Sequence, residues 1–167
     1  DTRTMAVSRR FSVAKGKEGP LPANADPHAG HAMAGSKPAP AKPPVDPADV
    51  GYVDGMRHEM APATCSPTWA QPSVKADRIY VACNKSDEIL EIARDSWTVT
   101  RHIKTGRGPY NLGVTPDGKY LVASLKQGSK VEVFDLASGR STAQIPTSNT
   151  LAHGVAMSSD SRYAFVT

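Results

Sequence analysis

Residues 109–146, PYNLGVTPDGKYLVASLKQGSKVEVFDLASGRSTAQIP, read as four short strands in succession. Asn111–Thr115 is a small apolar run. Pro116-Asp117-Gly118 ends it with a turn, because proline presets φ, aspartate bonds nearby backbone and glycine accepts φ > 0. Lys119–Leu125 is a second run of strand formers, broken by Gln127-Gly128-Ser129. Lys130–Leu136 alternates Val131 and Val133 against Lys130 and Glu132, a period of two, and Ala137-Ser138-Gly139 turns the chain into Arg140–Ile145. Four antiparallel strands joined by tight turns in about 40 residues have the size of one β-propeller blade.

The pattern recurs on both sides. Arg78-Ile79-Tyr80-Val81-Ala82-Cys83 aligns with Lys119-Tyr120-Leu121-Val122-Ala123-Ser124 at a spacing of 41, and Arg162-Tyr163-Ala164-Phe165-Val166-Thr167 aligns with the latter 43 positions on. Leu90-Glu91-Ile92 matches Val131-Glu132-Val133, and Asp1–Phe11 superposes on Asp135–Ile145 without a gap. The expected fold class is therefore all-β: four-stranded antiparallel blades of a partial β-propeller with a long irregular insertion. The expected divisions are the second half of a blade at 1–15, an insertion at 16–62, whole blades at 63–105 and 106–147, and the first half of another at 148–167. Propellers close with roughly four to eight blades, so these residues are expected to be completed by further blades of a longer chain or by a partner.

Leu112-Gly113-Val114-Thr115-Pro116-Asp117-Gly118-Lys119 and His153-Gly154-Val155-Ala156-Met157-Ser158-Ser159-Asp160 resemble the opening of the YVTN-type β-propeller repeat. Phe165-Val166-Thr167 resembles its middle, and Val131-Glu132-Val133-Phe134-Asp135 its third strand. The resemblance covers 1–15 and about 63–167. It implies a periplasmic or cell-surface location, and it leaves function open among surface-layer proteins, lactonase-like enzymes and haem d1-binding propellers, because one fold hosts many functions.

The insertion departs from the repeat. Residues 17–62 hold nine of the fourteen prolines, and Ala39-Pro40-Ala41-Lys42-Pro43-Pro44 suits polyproline-like extension better than a sheet. The net charge of +4 is scattered, without a basic run or interleaved aromatics, which argues against a nucleic-acid groove. No apolar run is long enough to span a bilayer as a helix, so membrane association would run through a partner.

Blade alignment places Trp69, Tyr110 and His153 at one repeat position, at the start of the innermost strand. They form either a ligand- or partner-contacting ring at the channel mouth or packing between blades. His28, His31, Met33 and His58, with Met60 nearby, mix imidazole with thioether; they belong to a solvated linker or to a copper or zinc site. Cys65 and Cys83, the only cysteines, reach one face of the sheet. Direct hairpin pairing puts Cys83 opposite Trp69, so a disulfide requires Cys65-Ser66-Pro67 to fold back; two buried thiols or a metal pair with His58 are the alternatives. No C-x-x-C, Gly-x-Ser-x-Gly, P-loop or His-Glu-x-x-His motif occurs, and Asp54, Arg57, His58 and Glu59 read as surface charges.

These residues lead to a non-catalytic, extracytoplasmic interaction module, an accessory subunit of a membrane-bound or electron-transfer complex. The alternative is a lactonase-like enzyme or a haem- or metal-binding propeller that uses His153 and other channel residues. A surface-layer role is the third reading.

Overall fold

The computed structural model describes residues 10–13, 16–22, 65–73, 75–148 and 150–167. The candidate ligands His28, His31, Met33 and His58 lie outside the described residues, as do Asp54, Arg57, Glu59 and Met60.

Every described element is a β-strand. A hairpin of β1 (Arg10–Ser12) and β2 (Gly19–Leu21) comes first. β3 (Pro67–Ser73), β4 (Arg78–Cys83), β5 (Glu88–Ala93) and β6 (Val99–Lys104) then form one antiparallel sheet in chain order. β7 (Pro109–Val114), β8 (Tyr120–Leu125), β9 (Lys130–Asp135) and β10 (Arg140–Pro146) repeat that order, and β11 (Val155–Met157) pairs with β12 (Ala164–Val166). The all-β reading with four-stranded antiparallel blades is borne out. The innermost strands lie side by side, β7 against β3 and β11 against β7.

Turn chemistry sets the strand ends. Thr115 Oγ1 donates to Asp117 Oδ1 (2.6 Å), the same oxygen accepts from Lys119 N (3.1 Å), and Gly118 takes φ 73°. Asp160 does the same in the next hairpin, accepting from Ser158 Oγ (2.6 Å) and Arg162 N (3.1 Å), with Ser161 at φ 63°. These bonds hold both carboxyls below the usual carboxylate range, with the hydroxyl of Thr115 or Ser158 the leading cause.

The core lies between blades. Tyr80, Ala82, Ile89 and Ile103 of the first full blade pack against Leu112, Leu121, Ala123, Phe134 and Leu136 of the second. The other face of the first blade buries Val81, Leu90, Ile92 and Cys83 with Cys65, and Phe11 and Val13 of the N-terminal hairpin settle on that cluster. The Phe11 ring lies 6.2 Å from that of Trp97.

This packing corrects the alignment register. The spacing of 41 pairs Tyr80 with Leu121, yet both sit in one cluster on facing blades. Strand bounds coincide instead at 42, Arg78 with Tyr120 and Glu88 with Lys130. A one-residue slip exchanges the two faces of a strand. β4, β5, β8 and β9 each have apolar residues on both faces, so hydrophobicity alone does not fix the register.

For the same reason the period-two pattern of β9 does not separate inside from outside. Glu132 is buried, accepting from Gly106 N (2.8 Å) and Gln144 Nε2 (3.0 Å), while Val133 is only half-buried. The face of β9 bearing Glu132 and Phe134 meets the first full blade. β2 is a second difference, a strand within a stretch expected to be irregular. Pro20 is tolerated there opposite Phe11 because a two-stranded ribbon leaves one side of each strand free of ladder bonds. The outer face of the last hairpin stands open, with Phe165 63% and Tyr163 56% exposed.

Candidate functional site

In an antiparallel meander, the loops after the second and fourth strands emerge at the same end as the start of the first. The β4–β5, β6–β7 and β8–β9 connections therefore surround the starts of β3, β7 and β11, which is the face where Trp69, Tyr110 and His153 are expected.

Backbone and side-chain bonds fix these strand starts from one blade to the next. Thr68 Oγ1 donates to the Tyr110 carbonyl (2.8 Å), Asn84 Nδ2 donates to the Pro109 carbonyl (3.2 Å), and Gly108 N donates to Asp87 Oδ1 (2.8 Å). Ser124 repeats the device one blade on: its hydroxyl accepts from Asn111 N (3.0 Å) and donates to the His153 carbonyl (2.7 Å). His153 N also donates to the Thr167 carbonyl (2.7 Å). Tyr110 and His153 thus sit on backbone whose position is set by neighbouring strands.

Their rings meet, with centroids 4.3 Å apart and planes tilted by 48°. Lys126 Nζ lies 4.6 Å from the Tyr110 ring centroid, in cation–π range. His153 is exposed and Tyr110 half-buried, so one surface presents a phenol, an imidazole and an ammonium. Such a group stacks, donates and accepts hydrogen bonds, and it attracts polar or aromatic groups of another molecule.

Trp69 stands apart from this pair. Its strand carries a one-residue bulge, with Pro67 opposite Cys83 and Trp69 opposite Ala82, and the spacing of 42 carries Trp69 onto Asn111 and Thr68 onto Tyr110. Trp69 is 43% exposed and its Nε1 donates to Gln71 Oε1 (3.3 Å) on its own strand. Lys126 escaped the sequence reading. Its only signal was its place just after the second strand, where Asn84 stands one blade earlier.

The same bulge resolves the cysteines. Cys83 faces Pro67 rather than Trp69, which lets Cys65 fold back and form a disulfide with Cys83, their Cα atoms 4.3 Å apart. Ser66 takes φ 48° to make that bend, and its carbonyl accepts from Asn84 N (3.1 Å). Both half-cystines are buried.

Two further charged clusters lie between or beside the blades. Glu88, buried, meets His102 Nδ1 (3.2 Å) and Lys104 Nζ (3.3 Å). Burial alone would raise its pKa, but the bonds from His102 and Lys104 outweigh that and hold it below its ordinary value. Glu91 pairs with Arg101 and accepts from Thr100 Oγ1 (2.7 Å), and Arg101 Nη2 also donates to the Leu136 carbonyl of the next blade (2.7 Å). Burial, then the charge of Glu91, push the Tyr80 hydroxyl up to about 12. Sequence periodicity marked these acids only as polar positions. Among the described residues, no three His, Cys, Asp or Glu gather as a metal site, and no helix is long and apolar enough to cross a membrane.

Comparison with known proteins locates the fold. Kuenenia stuttgartiensis hydrazine synthase is similar at 21% identity and a TM-score of 0.61, over 70% of this chain and 32% of that one. A functionally unknown protein from Desulfotomaculum acetoxidans is 17% identical at a TM-score of 0.54, over 61% and 35% of the two chains. The WD40 β-propeller domain of Doa1 is 15% identical at 0.52, over 60% and 32%. No protein-family model and no curated protein matches the sequence. Together with the blade geometry, these likenesses define the class as β-propeller, and the chain spans about a third of each of these structures.

Proposed function

We propose that the chain is a non-catalytic, extracytoplasmic propeller module that docks a partner protein through the face bearing Tyr110, His153 and Lys126, as an accessory subunit of a membrane-bound or electron-transfer complex. The observation that carries this reading is the Tyr110–His153–Lys126 group, presented from strands whose positions are fixed by Thr68, Asn84 and Ser124. Preorganised aromatic and cationic groups on a rigid scaffold bind with little ordering cost, and loops around such a scaffold commonly carry recognition. The Cys65–Cys83 disulfide supports an oxidising compartment. The open Phe165 and Tyr163 face supports packing against further blades, whichever chain supplies them.

Purification from the cells that make the protein tests this reading. The expected result is a stoichiometric protein partner that is lost when Tyr110 and His153 are both changed to alanine while the sheet signal in circular dichroism persists. A partner-free chain carrying haem or copper would overturn it in favour of a cofactor-binding propeller.

A further inference from the structure

The opposite ends of the two full blades, away from the disulfide, line an open cavity of about 380 Å³. Its walls come from both sheets: Arg78, Tyr80, Glu91 and Arg101 on one side, Lys119, Tyr120 and Asp135 on the other. That volume falls within the size range of small-ligand sites.

The charges in it are unevenly used. Glu91 is occupied by Arg101 and Thr100, with Arg78 Nε 3.6 Å away. Asp135 accepts from both the amide (2.8 Å) and the hydroxyl (2.7 Å) of Ser138. The cations keep spare donors. Arg101 Nε is buried and has no partner among the described residues. Arg78 spends Nη1 on the Asp77 carbonyl (3.1 Å), and the exposed Lys119 ammonium makes only a loose 3.8 Å pair with Asp117. Arg78 and Lys119, each only loosely held by a carboxylate (3.6 Å to Glu91 and 3.8 Å to Asp117), are the donors left for an anionic group. Beside them the Tyr120 ring is 41% exposed, and Leu136 and Ala137 add apolar wall.

We propose that this cavity binds a monocarboxylate carried on a small apolar body, its carboxylate meeting Arg78 and Lys119 and its body lying against Tyr120. Planar carboxylates suit guanidinium donors. Such a group is supplied either by a free organic acid or by the apolar C-terminal residue of a partner chain. The site is separate from the proposed docking face and stands or falls independently of it.

The test is titration of the whole chain with sodium benzoate, followed by NMR of the Lys119, Tyr120 and Leu136 amides and the Arg78 Nε–H. Benzamide serves as the uncharged isostere. The expected result is saturable shifts confined to these groups, with benzamide at least about ten-fold weaker and Arg78→Gln or Tyr120→Ala each weakening benzoate about ten-fold. Arg78 is partly exposed, so Arg78→Gln should keep the fold, and the dispersion of the remaining amide signals checks it. A second titration uses a short peptide ending in phenylalanine, as free acid and as amide. Tighter binding of the free-acid peptide than of benzoate assigns the ligand to a chain terminus, and weaker binding assigns it to a small acid. No saturation by benzoate up to about 10 mM, equal binding of benzamide, or binding unchanged in both variants would overturn the proposal.

Discussion

Replacing Cys65 and Cys83 together by alanine removes the one covalent link among the described residues, and its effect can be worked from the chain. The bridge closes a loop with a sequence separation of 18. Loop-closure entropy for that length corresponds to ~3 kcal/mol of stability at room temperature. Both sulfurs lie in the cluster with Val81, Leu90 and Ile92, so loss of packing adds to the entropic cost. Urea unfolding followed by circular dichroism reads this directly. With a slope of about 1–3 kcal/mol per molar, the midpoint should fall by roughly 1–3 M. The loss should also be local: the amides of Asn84 and Lys85, which donate to the Ser66 and Cys65 carbonyls, should lose hydrogen-exchange protection before Val122 and Phe134. An unchanged midpoint, or equal loss of protection in both blades, would refute the assignment of the disulfide as the clamp at the start of β3.

Other outcomes follow from the interblade contacts. A Cβ at Gly113 would stand 2.9 Å from Val155 Cγ1 and 3.0 Å from Met157 Sδ, so Gly113→Ala should destabilise by about 1–3 kcal/mol, measured by thermal unfolding. Tyr80 binds its proton more tightly when folded, with a pKa of about 12 against 10.0. The stability this represents, about 3 kcal/mol, is fully present below pH 10 and lost as pH rises toward 12. Tyr80→Phe should flatten that alkaline limb, and an identical limb would contradict it. Glu88 has the opposite sign. Its folded pKa lies below 4.5, so its contribution is present above that pH and lost as pH falls through the folded value. Glu88→Gln should therefore reduce the drop in melting temperature on acidification.

The strands and turns were legible in the sequence because each carries a local cause. Pro116-Asp117-Gly118 forms the expected turn through bonds internal to the segment, and Asp160 repeats the device in the last hairpin. The register between blades was not legible. Tyr80 and Leu121 are both apolar and both buried, so an alignment at 41 looks as good as the correct one at 42. That slip set Trp69 beside Tyr110 and His153 when the bulge at Thr68 moves it away. The bulge, which regular hairpin pairing does not foresee, also hid the pairing of Cys83 with Pro67 that makes the disulfide possible. Glu91 and Glu132 were hidden for a related reason. Their partners Arg101 and Gly106 lie on other strands or blades, and sequence spacing does not bring them together. Tyr110 and His153 were found because both keep the same place at the start of an innermost strand.

Docking at the Tyr110–His153 face is tested most directly by a photo-reactive residue placed at His153, with Thr142 on the exposed outer strand β10 as the control position. His153 contributes its backbone to the sheet but only an exposed ring to packing, so the substitution leaves the fold in place. Irradiation in the cells that make the protein should give one discrete protein adduct from His153 and none from Thr142. Equal adducts from both positions, or no protein adduct from His153 together with a bound haem or metal in the purified chain, would contradict a docking role for this face.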